Sequence, residues 1–229
     1  MKRVILQEIL DSDDCPTAEV SASLRDMSRI NRWCGGVATT RALIERVAFA
    51  TGRQRFSVLE VAAGLGEIPR AVSQQLSRKG IMLDVIHLDR MHSHLDAGSR
   101  AVVADALALP FSDGSFDLIS CSLFAHHLEP EDLARFAAEA LRVSRSAVLI
   151  NDLVRHPLHL ALTYAGFPLM RSYVSRFDGP ASVRRSYVPE EMRRILSGVE
   201  SASKVEISQH YLFRMGVILW RRAVLARTT

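Results

Sequence analysis

The stretch that decides the fold is Val58-Leu-Glu-Val-Ala-Ala-Gly-Leu-Gly66, a short apolar run that passes into small residues. A helical stretch from Glu67 to Lys79 follows it. Together these patterns predict a strand, a tight glycine loop and a helix. Such a loop turns backbone N–H groups and a helix N-terminus towards a ligand, so the stretch predicts a nucleotide-like cofactor.

The spacing of the glycines does not fit two common phosphate-binding loops. A dinucleotide loop needs G-x-G-x-x-G, but its third position falls on Pro69 when counted from Gly64 and on Glu67 when counted from Ala62. A P-loop needs G-x-x-x-x-G-K-S/T, and no stretch of the sequence matches it. The loop is therefore not typical of an NAD, FAD or P-loop site.

Strand-like and helical segments alternate after the loop. Apolar strand-like runs cover 57–62, 82–88, 101–104, 116–120 and 147–150, and a helix is predicted at 130–143. Two further strands, 205–211 and 213–220, are placed to pair as a terminal hairpin. This alternation is typical of a parallel sheet covered on both faces. The predicted fold is α/β, a Rossmann-like doubly wound sheet of seven strands whose last strand is antiparallel.

The residues on either side of this sheet give the predicted domain organisation. No strand pattern precedes Thr51, so residues 1–52 are expected to form an N-terminal cap of helices, broken by the polar stretch 11–16 and by Gly35-Gly36, with helices at 18–33 and 39–50. Residues 53–229 form the main domain, with an apolar, proline-interrupted, lid-like insertion at about 153–188. Within that insertion the polar stretch 178–185 is predicted to be a loop, and a last helix is predicted to begin at Val188.

Four residues of the decisive stretch resemble the first motif of class I S-adenosylmethionine-dependent methyltransferases, acid-x-G-x-G-x-G: Glu60, Ala62, Gly64 and Gly66. Ala62 replaces the first glycine of that motif. Asp89 and Asp105 then end the second and third predicted strands, and Leu109–Ile119 is similar to the family's run into the fourth strand. The resemblance is close from about residue 56 to residue 152.

This resemblance implies S-adenosylmethionine as cofactor and S-adenosylhomocysteine as product. Glu60, Ala62, Gly64 and Gly66 are expected to bind the cofactor, with the glycines letting the backbone approach its amino-acid part, where a Cβ would clash. Asp89, beside Arg90, is expected to accept from the ribose hydroxyls, and Asp105-Ala106 to contact the adenine. Ser122 and Arg32 complete the expected cofactor set. For Asn31 and Arg32, a contact with the carboxylate of the cofactor and ordinary helix capping are equal alternatives.

His126 and His127 follow the fourth predicted strand and are the candidate catalytic bases. The carboxyl ends of parallel strands border the ligand crevice, and imidazole titrates near neutral pH. The alternative is that one ring only packs against the loop. No metal site is expected, because the fourth strand ends in Ser120-Cys-Ser122 without a carboxylate. Asn151-Asp152 keeps open a metal-dependent catechol-type enzyme, and a non-catalytic cofactor-binding protein is a further alternative.

The acceptor is predicted from two weaker features. Met27–Trp33 with Gly35-Gly36 resembles quinone-biosynthesis and related phenol or polyketide methyltransferases, which have a helical arm over the cofactor. The apolar lid-like insertion adds a lipophilic surface. Together they favour a small, lipophilic aromatic acceptor of the phenol, quinol or polyketide type.

Composition narrows the class of protein. The 229 residues are 48% hydrophobic and carry a formal charge of +4, with scattered arginines rather than a basic stripe, so no nucleic-acid partner is expected. Three separated cysteines, Cys15, Cys34 and Cys121, fit a reducing cytoplasm. No apolar stretch is long enough for a membrane span, which leaves open a peripheral contact with an acidic membrane surface. The sequence does not determine the oligomeric state.

Overall fold

The computed structural model describes residues 1–11, 16–95, 98 and 100–222, so the predicted thiol at Cys15 lies outside the described residues. The strands are β1 Arg55–Val61, β2 Met82–Asp89, β3 Ala101–Val103, β4 Phe116–Ser122, β5 Ser144–Leu153, β6 Ala202–His210 and β7 Arg214–Arg221. The helices are α1 Thr17–Trp33, α2 Gly36–Thr51, α3 Glu67–Ser77, α4 Pro130–Val143, α5 Pro157–Ala165, α6 Tyr173–Arg185 and α7 Pro189–Leu196.

The seven strands form one sheet in the order β3-β2-β1-β4-β5-β7-β6. Strands β1 to β5 pair in parallel, whereas β7 runs antiparallel to both β5 and β6. The predicted seven-stranded, doubly wound sheet with an antiparallel last strand is confirmed. The strand order reverses between β1 and β4, and ligands bind at such a point in open α/β sheets.

Each face of the sheet is covered by a layer of helices. On one face α2 buries Leu43, Ile44 and Val47 against the sheet, together with apolar side chains of α3. On the other face α4 and α7 bury Phe136 and Met192. Because α2 lies in one of these layers, part of the predicted cap packs directly on the sheet. The division of the chain at residue 52 stays a prediction.

The first eight residues are not helical, contrary to the sequence prediction. Only a single 3-10 turn, Ile9–Asp11, precedes α1 in this part of the chain. The Val4 N–H donates to the carbonyl of Arg184, and the N–H groups of Ile9 and Leu10 donate to the carboxylate of Asp178. The N-terminal segment thus forms backbone hydrogen bonds with α6 and not the hydrogen bonds of its own predicted helix. Tertiary contacts override the local sequence pattern here.

The stretch predicted as a loop at 178–185 is part of helix α6, so that prediction was wrong. Gly179 and Pro180 both disfavour a helix interior, and Pro180 nevertheless lies inside α6. The N-terminus of the helix is held by two side chains. Ser172 accepts from the N–H of Val174, and Asp26 of α1 accepts from the N–H groups of Arg171 and Ser172. These caps offset the weak helical propensity of the sequence.

The break between α1 and α2 falls at Gly35-Gly36, as the sequence predicts. Gly35 has a φ of +83°, and a Cβ there would lie 2.8 Å from the carbonyl oxygen of Tyr211. Only glycine fits this position. The close approach seats the start of α2 against the turn between β6 and β7.

Candidate cofactor and acceptor site

The loop after β1 is held by the acid at the end of β2. The N–H of Gly64 donates to Asp89 Oδ2 at 3.0 Å, and the N–H of Met91 donates to Oδ1 at 3.0 Å. Each oxygen of a carboxylate can accept further bonds, so Asp89 can brace the loop and still meet a hydroxyl donor. The structure thus brings together two of the predicted cofactor residues, Gly64 and Asp89.

The two loop glycines have different surroundings. Gly66 is the N-cap of α3 with a φ of +66°, and a Cβ there would lie 2.2 Å from Cε1 of His87. Gly64 has a φ of +51°, but a Cβ there would meet no atom within 4 Å. The loop therefore leaves open space at Gly64, while the N–H groups of Gly64 and Gly66 are bonded within the protein. A cradle of this kind fits the amino-acid part of S-adenosylmethionine.

Glu60, the acid of the first motif, is buried at the end of β1. Burial raises the pKa of its carboxyl to about 7, although hydrogen bonds with Ser120 and Ser122 oppose the rise. The Ser122 hydroxyl also lies 3.4 Å from Thr40 Oγ1. Glu60 therefore ties β1 to the end of β4 and is partly protonated near neutral pH.

Two non-glycine residues in the loops at this edge adopt left-handed backbone angles. Ala62, at the first glycine position of the motif, has a φ of +53°, and Leu123, directly after β4, has a φ of +57°. Such angles cost about 1–2 kcal/mol in a residue with a Cβ. Strained backbone at the ends of β1 and β4 is typical of a ligand site.

The remaining predicted cofactor residues lie at or near the surface. Asp105 is exposed, and its Oδ1 accepts from the N–H of Leu107 at 2.9 Å in a turn after β3. Ala106 is half-buried, and Arg90 and Arg32 are exposed. Their contacts with a cofactor stay predictions.

Asn31, which was a candidate for a contact with the carboxylate of the cofactor, is bonded to Arg214. Its Oδ1 accepts from Arg214 Nη2 at 2.7 Å, and both side chains are buried. Burial lowers the pKa of Arg214 to about 10, against the opposing charge of Asp152. Asn31 Oδ1 therefore stabilises a buried guanidinium, a contact that neither the cofactor prediction nor the capping alternative includes.

Helix α1 also borders the glycine loop, through residues that the sequence analysis did not single out. A cavity of about 380 Å³ is lined by Arg25, Arg29, Glu67 and Arg171, among others. Glu67 directly follows Gly66 at the start of α3. The helical arm therefore approaches the loop with arginines one to two turns before Arg32, which are suited to an anionic group.

His126 is held rigidly between carboxylates. Its Nδ1 lies 2.7 Å from Asp152 Oδ1, and its backbone N–H donates to Asp152 Oδ2 at 2.9 Å. Nε2 faces Glu8 Oε1 at 3.5 Å. Burial alone would lower the pKa of the imidazole, but Asp152 and Glu8 outweigh burial and raise it to about 10.

A pKa raised to about 10 keeps His126 protonated near pH 7, and its assignment as a catalytic base stays a prediction. A ring that is only 2% exposed and carries a proton at neutral pH cannot accept another. His127 is the more accessible of the pair, with 21% of its side chain exposed. Its Nε2 lies 3.8 Å from Glu8 Oε2. Sequence reasoning missed Glu8 altogether and considered Asp152 only as a metal ligand.

The pair Asn151-Asp152 is engaged in internal bonds. Asn151 Nδ2 donates to the carbonyl of Gly36 and to Thr40 Oγ1, both at 2.8 Å. Asp152 accepts from His126 and from the N–H of Leu153. A catechol-type site needs hard oxygen ligands that are free to meet an ion. Asp152 is not free in this way, whereas Asn151 Oδ1 has no hydrogen-bond partner among the described residues, so the pair supplies one free oxygen and not the set that the alternative needs.

Solved structures share this fold. The plantazolicin methyltransferase BpumL in complex with SAH matches with a TM-score of 0.69 and 13% identity over 93% of each chain. A SAM-dependent methyltransferase from Aquifex aeolicus matches with a TM-score of 0.59 and 16% identity, over 91% of this chain and 100% of that one. At such identities the likeness establishes the fold, which is that of the class I S-adenosylmethionine-dependent methyltransferases.

Sequence comparisons identify a domain family and individual proteins that this chain resembles. The family described as a methyltransferase domain matches residues 58–147. Demethylmenaquinone methyltransferase of Renibacterium salmoninarum is 31% identical over 140 residues, 58% of this chain and 52% of that protein. The ubiquinone/menaquinone biosynthesis C-methyltransferase UbiE of Burkholderia vietnamiensis is 29% identical over 161 residues, 64% of this chain and 64% of that protein. The chain thus spans between half and two thirds of these relatives.

Residues 58–147 match a methyltransferase domain, and the chain shares its fold with solved S-adenosylmethionine-dependent methyltransferases, in agreement with the first motif. Within that class it is similar to methyltransferases of quinone biosynthesis, which confirms the second resemblance drawn from the sequence. Among the described helices, none has the length and apolarity needed to cross a membrane.

Proposed function

We propose that the protein transfers a methyl group from S-adenosylmethionine to a small, lipophilic aromatic acceptor of the phenol or quinol type. The observation that carries the proposal is the open cradle at Gly64, whose N–H is fixed by Asp89. The cofactor supplies a methyl group on a positively charged sulfur, already activated for displacement. The protein has to align the two reactants and keep water out.

The acceptor half of the proposal draws support from the segment between β5 and α6. No residue of α5 is buried, although the helix contains Leu158, Leu162 and Tyr164. Leu169 is 80% exposed directly after it. An apolar surface of this kind is typical of contact with a hydrophobic ligand or partner. The relatives named for ubiquinone and menaquinone biosynthesis agree with a lipophilic acceptor.

The segment also supports a peripheral contact with an acidic membrane surface. Between Leu153 and Phe177 there is no aspartate or glutamate, whereas Arg171 and Arg176 are exposed. Exposed apolar groups with nearby arginines suit an interface between anionic lipid and water. A lipophilic acceptor would reach the site from such a surface.

Methylation of a phenol or of a quinol ring carbon releases a proton. Of the two candidate bases, His127 is the one that is partly exposed, and its Nε2 is the atom we assign to this proton. His126 keeps its own proton between Asp152 and Glu8, so its role is to hold the loop that carries His127. We place both reactants at the carboxyl ends of β1 and β4.

Two measurements test the proposal. Calorimetric titration with S-adenosylmethionine measures cofactor binding, and formation of S-adenosylhomocysteine is then followed with phenols, naphthols and reduced quinones. We expect binding without acceptor and turnover only with acceptor. No heat of binding at millimolar cofactor would refute the whole proposal. Binding without turnover on any compound would favour the non-catalytic alternative.

The metal-dependent catechol-type alternative is tested in the same assay. We expect turnover to be insensitive to added magnesium, because Asp152 is occupied by internal hydrogen bonds and the end of β4 offers no second carboxylate. Activity that requires magnesium would return the assignment to that alternative.

A further inference from the structure

Glu8 of the N-terminal segment meets two adjacent side chains that are distant from it in the sequence, His126 and His127. Each offers one ligand atom, and these atoms all lie within 4.8 Å of one another. Glu8 Oε1 is 3.5 Å from His126 Nε2, and Glu8 Oε2 is 3.8 Å from His127 Nε2. Two imidazoles and a carboxylate form a ligand set typical of zinc and iron(II) sites.

The distances suit a bound ion. Bonds of about 2.1 Å from a tetrahedral ion to nitrogen and oxygen place its ligand atoms about 3.4 Å apart. The separations of 3.5 and 3.8 Å from the two Glu8 oxygens are near this value, and the limit of 4.8 Å on the whole set leaves about 1.4 Å for side-chain movement to close. Three protein ligands would leave a fourth position for water or another small ligand.

His126 gives a second, independent indication of a ligand. Its side chain is 2% exposed, and its Nε2 makes no hydrogen bond among the described residues although it faces Glu8. Buried polar atoms are rarely left without a partner, so the atom calls for one. On the other side of the ring, Nδ1 is fixed by Asp152 at 2.7 Å. A carboxylate behind a histidine in this way is the usual support of a metal ligand.

The charge of the cluster points in the same direction. Glu8 and Asp152 are both buried; the His126 imidazole lies between them, and the charge of Arg214 acts on Asp152 but not on Glu8. Buried carboxylates are stable only when a cation balances them. A divalent ion at Nε2 of His126 would replace the proton there and balance both acids.

We propose that Glu8, His126 and His127 bind one divalent transition-metal ion of the zinc type. The ion would join the N-terminal segment, through Glu8, to the loop that follows β4. This site is separate from the oxygen-ligand site considered at Asn151-Asp152, and it departs from the sequence expectation that the protein has no metal site. It does not depend on the identity of the methyl acceptor, but it excludes the base assignment made above, because a His127 Nε2 bound to the ion has no lone pair left to take the acceptor's proton.

The test uses the whole protein freed of metal with a chelator. Zinc is titrated by calorimetry, and cobalt(II) by its visible absorption, which reports tetrahedral ligands. We expect one ion per chain. His127→Gln and Glu8→Gln should each weaken affinity by about 100-fold or more, and Asp152→Asn by about 10–100-fold.

The matched control is His92→Gln. His92 and His94 lie close together in an exposed turn, and this pair is the obvious place for adventitious binding. We expect the control to bind zinc as the wild type does. Hydrogen exchange adds a readout of position, because zinc should slow exchange in residues 3–11 of the wild type but not of His127→Gln.

The results are decisive in either direction. Circular dichroism checks that each variant folds, and if Glu8→Gln does not, His127→Gln still tests the site because that side chain is partly exposed. Absence of stoichiometric binding would overturn the proposal. So would binding that His92→Gln abolishes and His127→Gln leaves unchanged. Failure here leaves cofactor binding untouched, so the two proposals are tested separately.

Discussion

His126 Nδ1 lies 2.7 Å from Asp152 Oδ1, and this contact joins the loop after β4 to the end of β5. The second oxygen of Asp152 accepts from the backbone N–H of the same histidine at 2.9 Å. Ring and backbone are thus fixed by one carboxylate. The two adjacent histidines therefore differ in kind, since His126 is a buried positioning residue and His127 is partly exposed.

Replacing Asp152 by asparagine should destabilise the fold. The change leaves the His126 imidazolium buried with Glu8 as its only nearby carboxylate. Breaking a buried pair in this way costs about 3–5 kcal/mol. Urea denaturation of metal-free protein measures the change in the free energy of unfolding. The control Asp132→Asn loses only an exposed pair with Arg135, and its effect should stay within about 0.5 kcal/mol.

Equal stability of Asp152→Asn and Asp132→Asn would contradict the assignment of Asp152 as the support of His126. The comparison is matched because both changes replace one oxygen by an amide nitrogen. The comparison separates the destabilisation caused by breaking a buried ion pair from the destabilisation caused by losing one negative charge.

Gly64→Leu should abolish cofactor binding while the protein stays folded. A side chain at Gly64 meets no protein atom within 4 Å, so it would occupy the cradle and not the core. The left-handed backbone angle adds a strain of about 1–2 kcal/mol. Gly80→Leu is the matched control, because Gly80 also has a positive φ, of +78°, and no neighbour within 4 Å. Calorimetry with S-adenosylmethionine should give no heat for the first variant and wild-type heat for the second.

An equal loss of binding in both glycine variants would attribute the effect to backbone strain. Retained binding in Gly64→Leu would show that the cradle is not the cofactor site. Either result would remove the main support for the proposed function.

The sheet and the cofactor loop were predictable because their signals are local. An apolar run that ends in Glu60 and passes into Gly64 and Gly66 specifies strand, loop and helix within ten or so residues. The acid of the next strand, Asp89, then meets the loop because parallel strands end at one edge. Periodicity and spacing carry that information without any knowledge of distant contacts.

The environment of the histidine pair was not predictable in this way. Glu8 reaches His126 only because the N-terminal segment runs along α6, and α6 itself was predicted to be a loop. Gly179 and Pro180 lower the helical propensity there, while the groups that offset it, such as Asp26, lie far away in the sequence. Local sequence patterns carry no information about contacts between residues so far apart in the chain.

The burial of Glu60 should make the stability of the cofactor-free protein depend on pH. The pKa of Glu60 is about 7 in the folded protein and 4.5 in the ordinary exposed state. Between these pH values the folded protein therefore holds a proton on Glu60 that the unfolded chain has released. Stability from this group is therefore complete below about pH 4.5 and is lost as the pH rises towards 7. Glu60→Gln removes the dependence. Urea denaturation at about pH 5 and about pH 8 should show that the wild type loses on the order of 2 kcal/mol more than the variant. Parallel losses in the two proteins would mean that Glu60 is ionised in the folded state.

Asp178→Asn should release the N-terminal segment from α6. The Asp178 carboxylate accepts the N–H groups of Ile9 at 2.8 Å and of Leu10 at 3.1 Å, and an asparagine amide can accept through only one atom. Bonds to a charged acceptor contribute about 1.5–3 kcal/mol, so exchange at these two amides should quicken by about tenfold or more. Hydrogen exchange measures this, with Asp84→Asn, an exposed carboxylate on β2, as the control. Faster exchange at Val4 as well would show that the segment detaches as one unit, whereas unchanged exchange at Ile9 and Leu10 would show that other contacts hold it.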